Sequence, residues 1–275
     1  MLDFLSFFLE LLFSLLTFAF GWFLGNPSRK FSKKWIGKFA ILSLLLILGK
    51  FVLLIKPAWE AQYFSYTIYL YFQSYWIYPP IFFFFGLVIP QFPLRWNRYF
   101  LLTIAFLFFL FSLEKESWRV CPPSFYDSAR TADAKHHCHQ STLFTCAPSV
   151  CVALLSSYQI ASTEGVSVTS RTLARFGGTT SSGSSILGIY RGLWFKLRGS
   201  PLRVRFKECS FSDLVRNSSP VVLAGMGHAV VVTVKPDQVL LNDPKMLTPI
   251  PMTLKQFEEG KYFEGLVIYL EKKEE

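Results

Sequence analysis

Four long apolar runs crowd the first 113 residues, and no other feature of the chain limits its fold as strongly. They cover 4–24, 39–55, 63–89 and 99–113. A helix that crosses a bilayer needs about 20 mostly apolar residues, with roughly 17 to 25 as the usual range. The first and third runs exceed that length, and the second and fourth reach it with their flanks. Nothing in this half offers the polar outer face that helices of a soluble core would carry. The pattern therefore predicts an α-helical transmembrane region of four spans over 1–113, embedded in a lipid bilayer. The first run opens on MLDF, acidic where a signal peptide is basic, and its apolar stretch is too long for one. It is expected to remain in the mature protein.

Basic residues in short loops set the orientation of such a region. Arg29, Lys30, Lys33, Lys34 and Lys38 follow the first run, and Arg95 and Arg98 follow the third, whereas the loop between offers only Lys56 offset by Glu60. Loops one and three are then cytoplasmic, and four spans leave both termini outside. An odd number of spans would put the C-terminal half in the cytoplasm. The formal charge of +10 would suit a nucleic-acid binder. Residues 1–113, however, carry nine Lys/Arg against three Asp/Glu, so most of the excess is orientation charge and no nucleic-acid partner is expected. The basic segment 193–207 reads as an exposed strand face.

After residue 113 the composition changes to a mixed, turn-punctuated sequence long enough for one domain with its own core. Residues 114–135 read as a linker and 136–275 as the domain. The loop GGTTSSGSS, 177–185, lacks the Lys-Ser/Thr ending of a phosphate-binding loop. Helices are predicted over 148–158, 169–176 and 184–196, with Pro148 suited to a first turn. Strands are predicted at VVLAG (221–225), AVVVTV (229–234), VLLND (239–243) and LVIYL (266–270). Helices followed by strands imply an α+β fold with an antiparallel sheet.

Cys146 stands at the start of the first of these helices, where free N–H groups and the helix dipole favour a thiolate. His228 opens the strand after GMG. If KPDQ, 235–238, is a tight turn, Val234 pairs with Val239 and Val230 with Asp243. His228 and Asp243 then lie on one face as diagonal neighbours. A Cys–His pair with an acidic orienter is suited to acyl transfer, the thiolate attacking a carbonyl and the imidazole protonating the leaving amine. Gln140, six residues before Cys146, is a neutral amide in position to act as oxyanion donor beside the Cys146 N–H.

The stretch QSTLFTCAPSVCVALLSSYQI, then GHAVVV and LLNDP, resembles the papain-like cysteine peptidases that remove double-glycine leaders from bacteriocin precursors. The likeness covers roughly 136–270. It implies a papain-like peptidase domain acting on a polypeptide, with Gln140 as oxyanion donor, Cys146 as nucleophile, His228 as general acid/base and Asp243 as its orienter. It implies no cofactor and no metal. Family members usually have glycine after the cysteine, where this chain has Ala147. Those that process leaders are fused to an ATP-driven transporter that this sequence does not show, so any transporter would be a separate partner.

Other readings of the same residues stay open. A membrane-bound peptidase-like module without activity would keep the fold, and an amidase or acyl transferase on a non-protein amide would keep the triad. His136, His137, Cys138 and His139 are contiguous, and consecutive side chains diverge, which does not suit a tetrahedral metal. Five cysteines leave one thiol free. Cys121 with Cys138 is the expected disulfide outside the cytoplasm, while Cys151 and Cys209 are expected in the core.

Overall fold

The computed structural model describes residues 2–28, 31–56, 59, 63, 77–117, 129–160, 162–163, 166–179, 183–225, 228–260, 262–263 and 265–273. The chain divides into two compact units, Met1–Cys121 and Pro122–Glu275.

The first unit is helical: α1 (Leu2–Gly25), α2 (Lys33–Ile55), α3 (Tyr78–Val88, continued by a 3-10 turn over Ile89–Gln91) and α4 (Arg95–Glu116). Three of these contain stretches long and apolar enough to cross a membrane, Phe7–Gly25, Lys33–Leu53 and Arg95–Glu114. Of the third apolar run, the structure describes residues 63 and 77–89. Within 77–89 an 11-residue helix starts at Tyr78, about 16 Å long at 1.5 Å per residue. Pro79 and Pro80 occupy its first turn, where the lost N–H groups cost nothing. Residues 64–76, the rest of that run, lie outside the described residues.

Packing in this unit uses small residues. A side chain at Gly21 of α1 would run into the Phe83 carbonyl of α3, and one at Gly86 of α3 into the Phe18 carbonyl of α1, so glycine lets the two backbones approach closely. Away from such seams the helices present large apolar groups outward, among them Phe13, Leu16, Leu45 and Phe106. The hydroxyls of Ser43 and Ser112 are satisfied within their own helices, donating to the carbonyls of Phe39 (2.9 Å) and Phe108 (2.7 Å), as an apolar surrounding requires.

The second unit is α+β. Its elements run α5 (Cys146–Ser157), β1 (Ser162–Thr163), β2 (Val166–Ser167), α6 (Ser170–Gly177), α7 (Ile186–Lys196), β3 (Leu202–Glu208), α8 (Phe211–Arg216), β4 (Val221–Gly225), β5 (His228–Val234), β6 (Val239–Asn242), β7 (Ile250–Met252), α9 (Leu254–Glu259) and β8 (Leu266–Lys272). β1 and β2 form a small hairpin. The other six strands make one antiparallel sheet in the order β3-β8-β4-β5-β6-β7. Alternate residues of β4, β5 and β6, including Leu223, Val230, Val232 and Leu241, join Leu214 of α8 and Phe257 of α9 in a closed apolar core.

Helix α5 is buried on all sides from Cys146 to Leu155 and packs against β4, β5, α6 and α7. A helix apolar around its whole circumference has no stable place except the interior. It starts two residues before the predicted point, so Pro148 sits inside its first turn. The basic segment 193–207 is divided: its first residues complete α7, where Lys196 is buried, and 202–207 belong to β3, an edge strand.

Candidate active site

Cys146 is the first residue of α5, and the local sequence leaves that helix end open. Thr145 occupies the N-cap position without making a side-chain cap bond. Its Oγ1 instead turns back into the preceding loop and accepts from the backbone N–H groups of Ser141 (3.0 Å) and Thr142 (3.0 Å). A threonine at this position ordinarily satisfies an N–H of the first turn. Here the hydroxyl is turned away, and the Ala147 N–H bonds to the Cys146 sulfur at the positive end of the helix dipole.

His228 heads β5 and Asp243 directly follows β6. The four-residue connection Lys235–Gln238 closes with the Lys235 N–H donating to the Gln238 carbonyl (2.8 Å) and places Val234 opposite Val239 and Val231 opposite Asn242. Extending that register by one pair sets Val230 opposite Asp243, so His228 is its diagonal neighbour on the same face. The side chains close the gap: His228 Nε2 lies 2.8 Å from Asp243 Oδ1. Asp243 Oδ1 also accepts from the Lys245 N–H at 2.9 Å. With Nε2 engaged there, Nδ1 is the ring nitrogen left for the thiol of Cys146, which hydrogen-bonds to the His228 side chain.

The electrostatics follow from these contacts. Burial acts to raise the Cys146 pKa, but the hydrogen bond and charge of His228, with the backbone N–H groups of Ala229 and Ala147, outweigh it and leave the thiol below its ordinary value. The His228 imidazole is raised to about 9, first by its bond to Asp243, then by Cys146, against the opposing effect of burial. Asp243 is lowered: burial opposes ionisation, and the bonds from His228 and the Lys245 N–H outweigh it. The other described thiols behave in the opposite sense. Burial pushes Cys138 up to about 11, and it raises Cys151 and Cys209 as well. Of the four described cysteines, only Cys146 is lowered.

Gln140 is buried, with its backbone N–H donating to the Pro244 carbonyl at 2.9 Å. That bond fixes its main chain next to Asp243. Its side-chain Oε1 has no hydrogen-bond partner among the described residues. Cys146, His228 and Asp243 thus form a continuous hydrogen-bonded chain, and Gln140 is tied by its backbone to the same turn as Asp243.

The clustered histidines separate. His136 Nδ1 meets Ser156 Oγ (2.9 Å), His139 Nδ1 meets Arg130 Nη1 (3.1 Å), and the buried His137 ring contacts Asn242 Oδ1 and the Met246 carbonyl. Among the described residues no group of three or more His, Cys, Asp or Glu is placed to hold a metal ion. Cys138 is a free, buried thiol, and its expected disulfide partner, Cys121, lies outside the described residues. Cys151 is buried and Cys209 half-buried, and both are free. Sequence reasoning missed Thr145, whose reversed hydroxyl has no local signature, and Asn242, which looks like one more strand residue until its distant partners are known.

No protein-family model matches the chain, and no curated protein matches it. Several solved structures are similar to it, among them two peptidase domains. One is the peptidase domain of Streptococcus ComA, a bi-functional ABC transporter involved in a quorum sensing pathway, with 18% identity and a TM-score of 0.38, covering 53% of this chain and 98% of that one. The other is a double glycine motif protease from an AMS/PCAT transporter in complex with the leader peptide, with 15% identity and a TM-score of 0.40, covering 53% of this chain and 99% of that one.

Proposed function

We propose that the chain is a membrane-anchored cysteine peptidase of papain-like type, with Cys146, His228 and Asp243 as its triad and Gln140 as oxyanion donor. The observation that carries this reading is the Cys146–His228–Asp243 chain at an uncapped helix end, where, of the four described thiols, Cys146 alone has a depressed pKa. The thiolate attacks the scissile carbonyl carbon, and the developing oxyanion is held by the Cys146 N–H and the Gln140 amide. The His228 imidazolium gives its proton to the leaving amine as the C–N bond breaks, leaving a thioester on Cys146. His228, now neutral, takes a proton from water. The hydroxide attacks the thioester, the thiolate departs, and the acid product is released. Asp243 holds the imidazole so that its other nitrogen faces the sulfur.

In this proposal residues 1–113 anchor the enzyme in the bilayer and 136–275 carry the chemistry, on the extracytoplasmic side. The sequence pattern it shares with double-glycine leader peptidases points to a polypeptide substrate, delivered by a separate transporter if export is involved.

The test is labelling of full-length protein by a peptide-like electrophile, wild type against Cys146→Ala. Selective, Cys146-dependent labelling with hydrolysis of a peptide substrate is expected. Equal labelling of both proteins, or none between about pH 6 and 9, where a depressed thiolate reacts, would refute the peptidase reading.

A further inference from the structure

We infer that His137 is a positioning residue of this site: its buried ring ties the loop carrying Gln140 to the turn carrying Asp243. The inference rests on the peptidase reading for its catalytic meaning and on the following geometry for its substance.

The ring of His137 is engaged at both nitrogens, and both partners come from one short segment. Nε2 faces the Met246 carbonyl at 2.8 Å and Nδ1 faces Asn242 Oδ1; both partners are acceptors, so the ring donates to the two at once only with a proton on each nitrogen. These two partners bracket Asp243 in sequence. The segment answers in return: Asn242 Nδ2 donates to the His136 carbonyl at 2.8 Å, and the Pro244 carbonyl accepts the Gln140 N–H at 2.9 Å. Two hydrogen bonds with fixed donors and the two ring contacts of His137 therefore stitch 136–140 to 242–246, across more than a hundred residues of chain, with a candidate catalytic side chain on each side of the seam.

The main chain is shaped to deliver the ring. His136 adopts φ 58°, a left-handed conformation that few non-glycine residues take up. Asp133 closes the bend, its Oδ1 accepting from the N–H groups of Lys135 (2.9 Å) and His137 (2.8 Å), and its own N–H donates to the His137 carbonyl (2.8 Å). His136 and His139 turn to Ser156 and Arg130, outside this seam. His137 has no ring nitrogen left for a substrate, a metal or a proton relay, so its contribution passes through the groups it holds.

Two effects follow if the seam is opened. Asp243 loses the brackets that aim it at His228, and Gln140 loses the fixed loop from which its amide reaches the reacting carbonyl. Displacements of about 1 Å at such a site can cost on the order of 100-fold in rate.

The experiment uses full-length protein in detergent with two readouts: kcat and KM on a peptide substrate, and the pH profile of Cys146 alkylation by iodoacetamide, a reaction that builds no oxyanion. His137→Ala is expected to lower kcat by about 10- to 100-fold with KM changed by less than about threefold. The alkaline limb of the alkylation profile is expected to move to lower pH as Asp243 loosens its hold on His228. Asn242→Ala should reproduce both effects, and the double variant should be no worse than either single one, since residues acting through one contact are not additive. His137→Gln, which can keep one of the two bonds, should recover part of kcat. His136→Ala and His139→Ala should behave as wild type.

A folded His137→Ala with wild-type kcat and an unmoved alkylation limb would overturn the inference, as would losses that multiply in the double variant. Should His137→Ala fail to fold by circular dichroism, His137→Gln and Asn242→Ala carry the same two readouts: a lowered kcat with a shifted limb supports the positioning role, and wild-type behaviour in both overturns it. A wild-type protein that alkylates at Cys146 with a depressed profile but cleaves no peptide would defeat the peptidase proposal. The alkylation limb would still decide the role of His137.

Discussion

A thiol works as a nucleophile near neutral pH only when its ionised form is held, and of the four described cysteines only Cys146 lies against an imidazole. The pH dependence follows from the directions of the two shifts. The Cys146 thiolate, favoured in the folded protein, is lost as pH falls through its lowered pKa. The His228 imidazolium, raised, is lost as pH rises through about 9. Activity should therefore plateau between these limits, with an alkaline limb near 9 in kcat/KM. Asp243 is the largest cause of the elevation of His228, so Asp243→Asn should draw the alkaline limb down toward the ordinary imidazole range and lose more activity well above neutral pH than at about pH 6. Gln140→Ala should lower kcat by roughly 10²- to 10³-fold while leaving iodoacetamide alkylation of Cys146 unchanged, since alkylation needs no oxyanion donor. The pairing of His228 with Asp243 was legible in the sequence because a strand's parity and a four-residue turn determine it. His137 and Asn242 were not, because each acquires its meaning from a partner more than a hundred residues away.

Elements with a continuous apolar signal were readable, and those that depend on neighbours were not. The strands at 221–225, 228–234, 239–242 and 266–272 lie where runs of valine, isoleucine and leucine stand between turns. β7, three residues long and containing Pro251, exists only as an edge against β6, as proline in a sheet requires. The short helices α8 and α9 carry capping boxes, Ser210 with Asp213 and Thr253 with Gln256. Six residues give too little periodicity for those boxes to be read as helices in advance. Within the third apolar run, hydropathy does not register that the pair Pro79–Pro80 favours the helix start at Tyr78. The element on which the site depends most is α5. Leu154, fully buried in its middle, should cost about 2–5 kcal/mol when replaced by alanine, measured as a fall in the thermal or urea midpoint. The labelling of Cys146 in the folded fraction should be retained.

For the whole chain, hydropathy divides the sequence near residue 113, and the division into two compact units falls between Cys121 and Pro122 in the sequence. Three helices have the length and composition to cross a membrane. In the four-span proposal the basic loops at 29–38 and 95–98 put the C-terminal unit outside the cytoplasm, and an odd number of spans would put it inside. A compartment-sensitive reporter fused after Leu113 should be active only in its extracytoplasmic form, and activity confined to the cytoplasmic form would reverse that orientation. The reversed hydroxyl of Thr145 has a consequence on this scale too. By gathering the N–H groups of Ser141 and Thr142, it turns the interval between Gln140 and Cys146 into a closed, measured spacer. In the peptidase proposal these bonds set the spacing of the two groups within the chain itself, with no contribution from the substrate. Whatever selectivity this end of the site has must then come from the fit of the incoming chain, with little from adjustment of the loop.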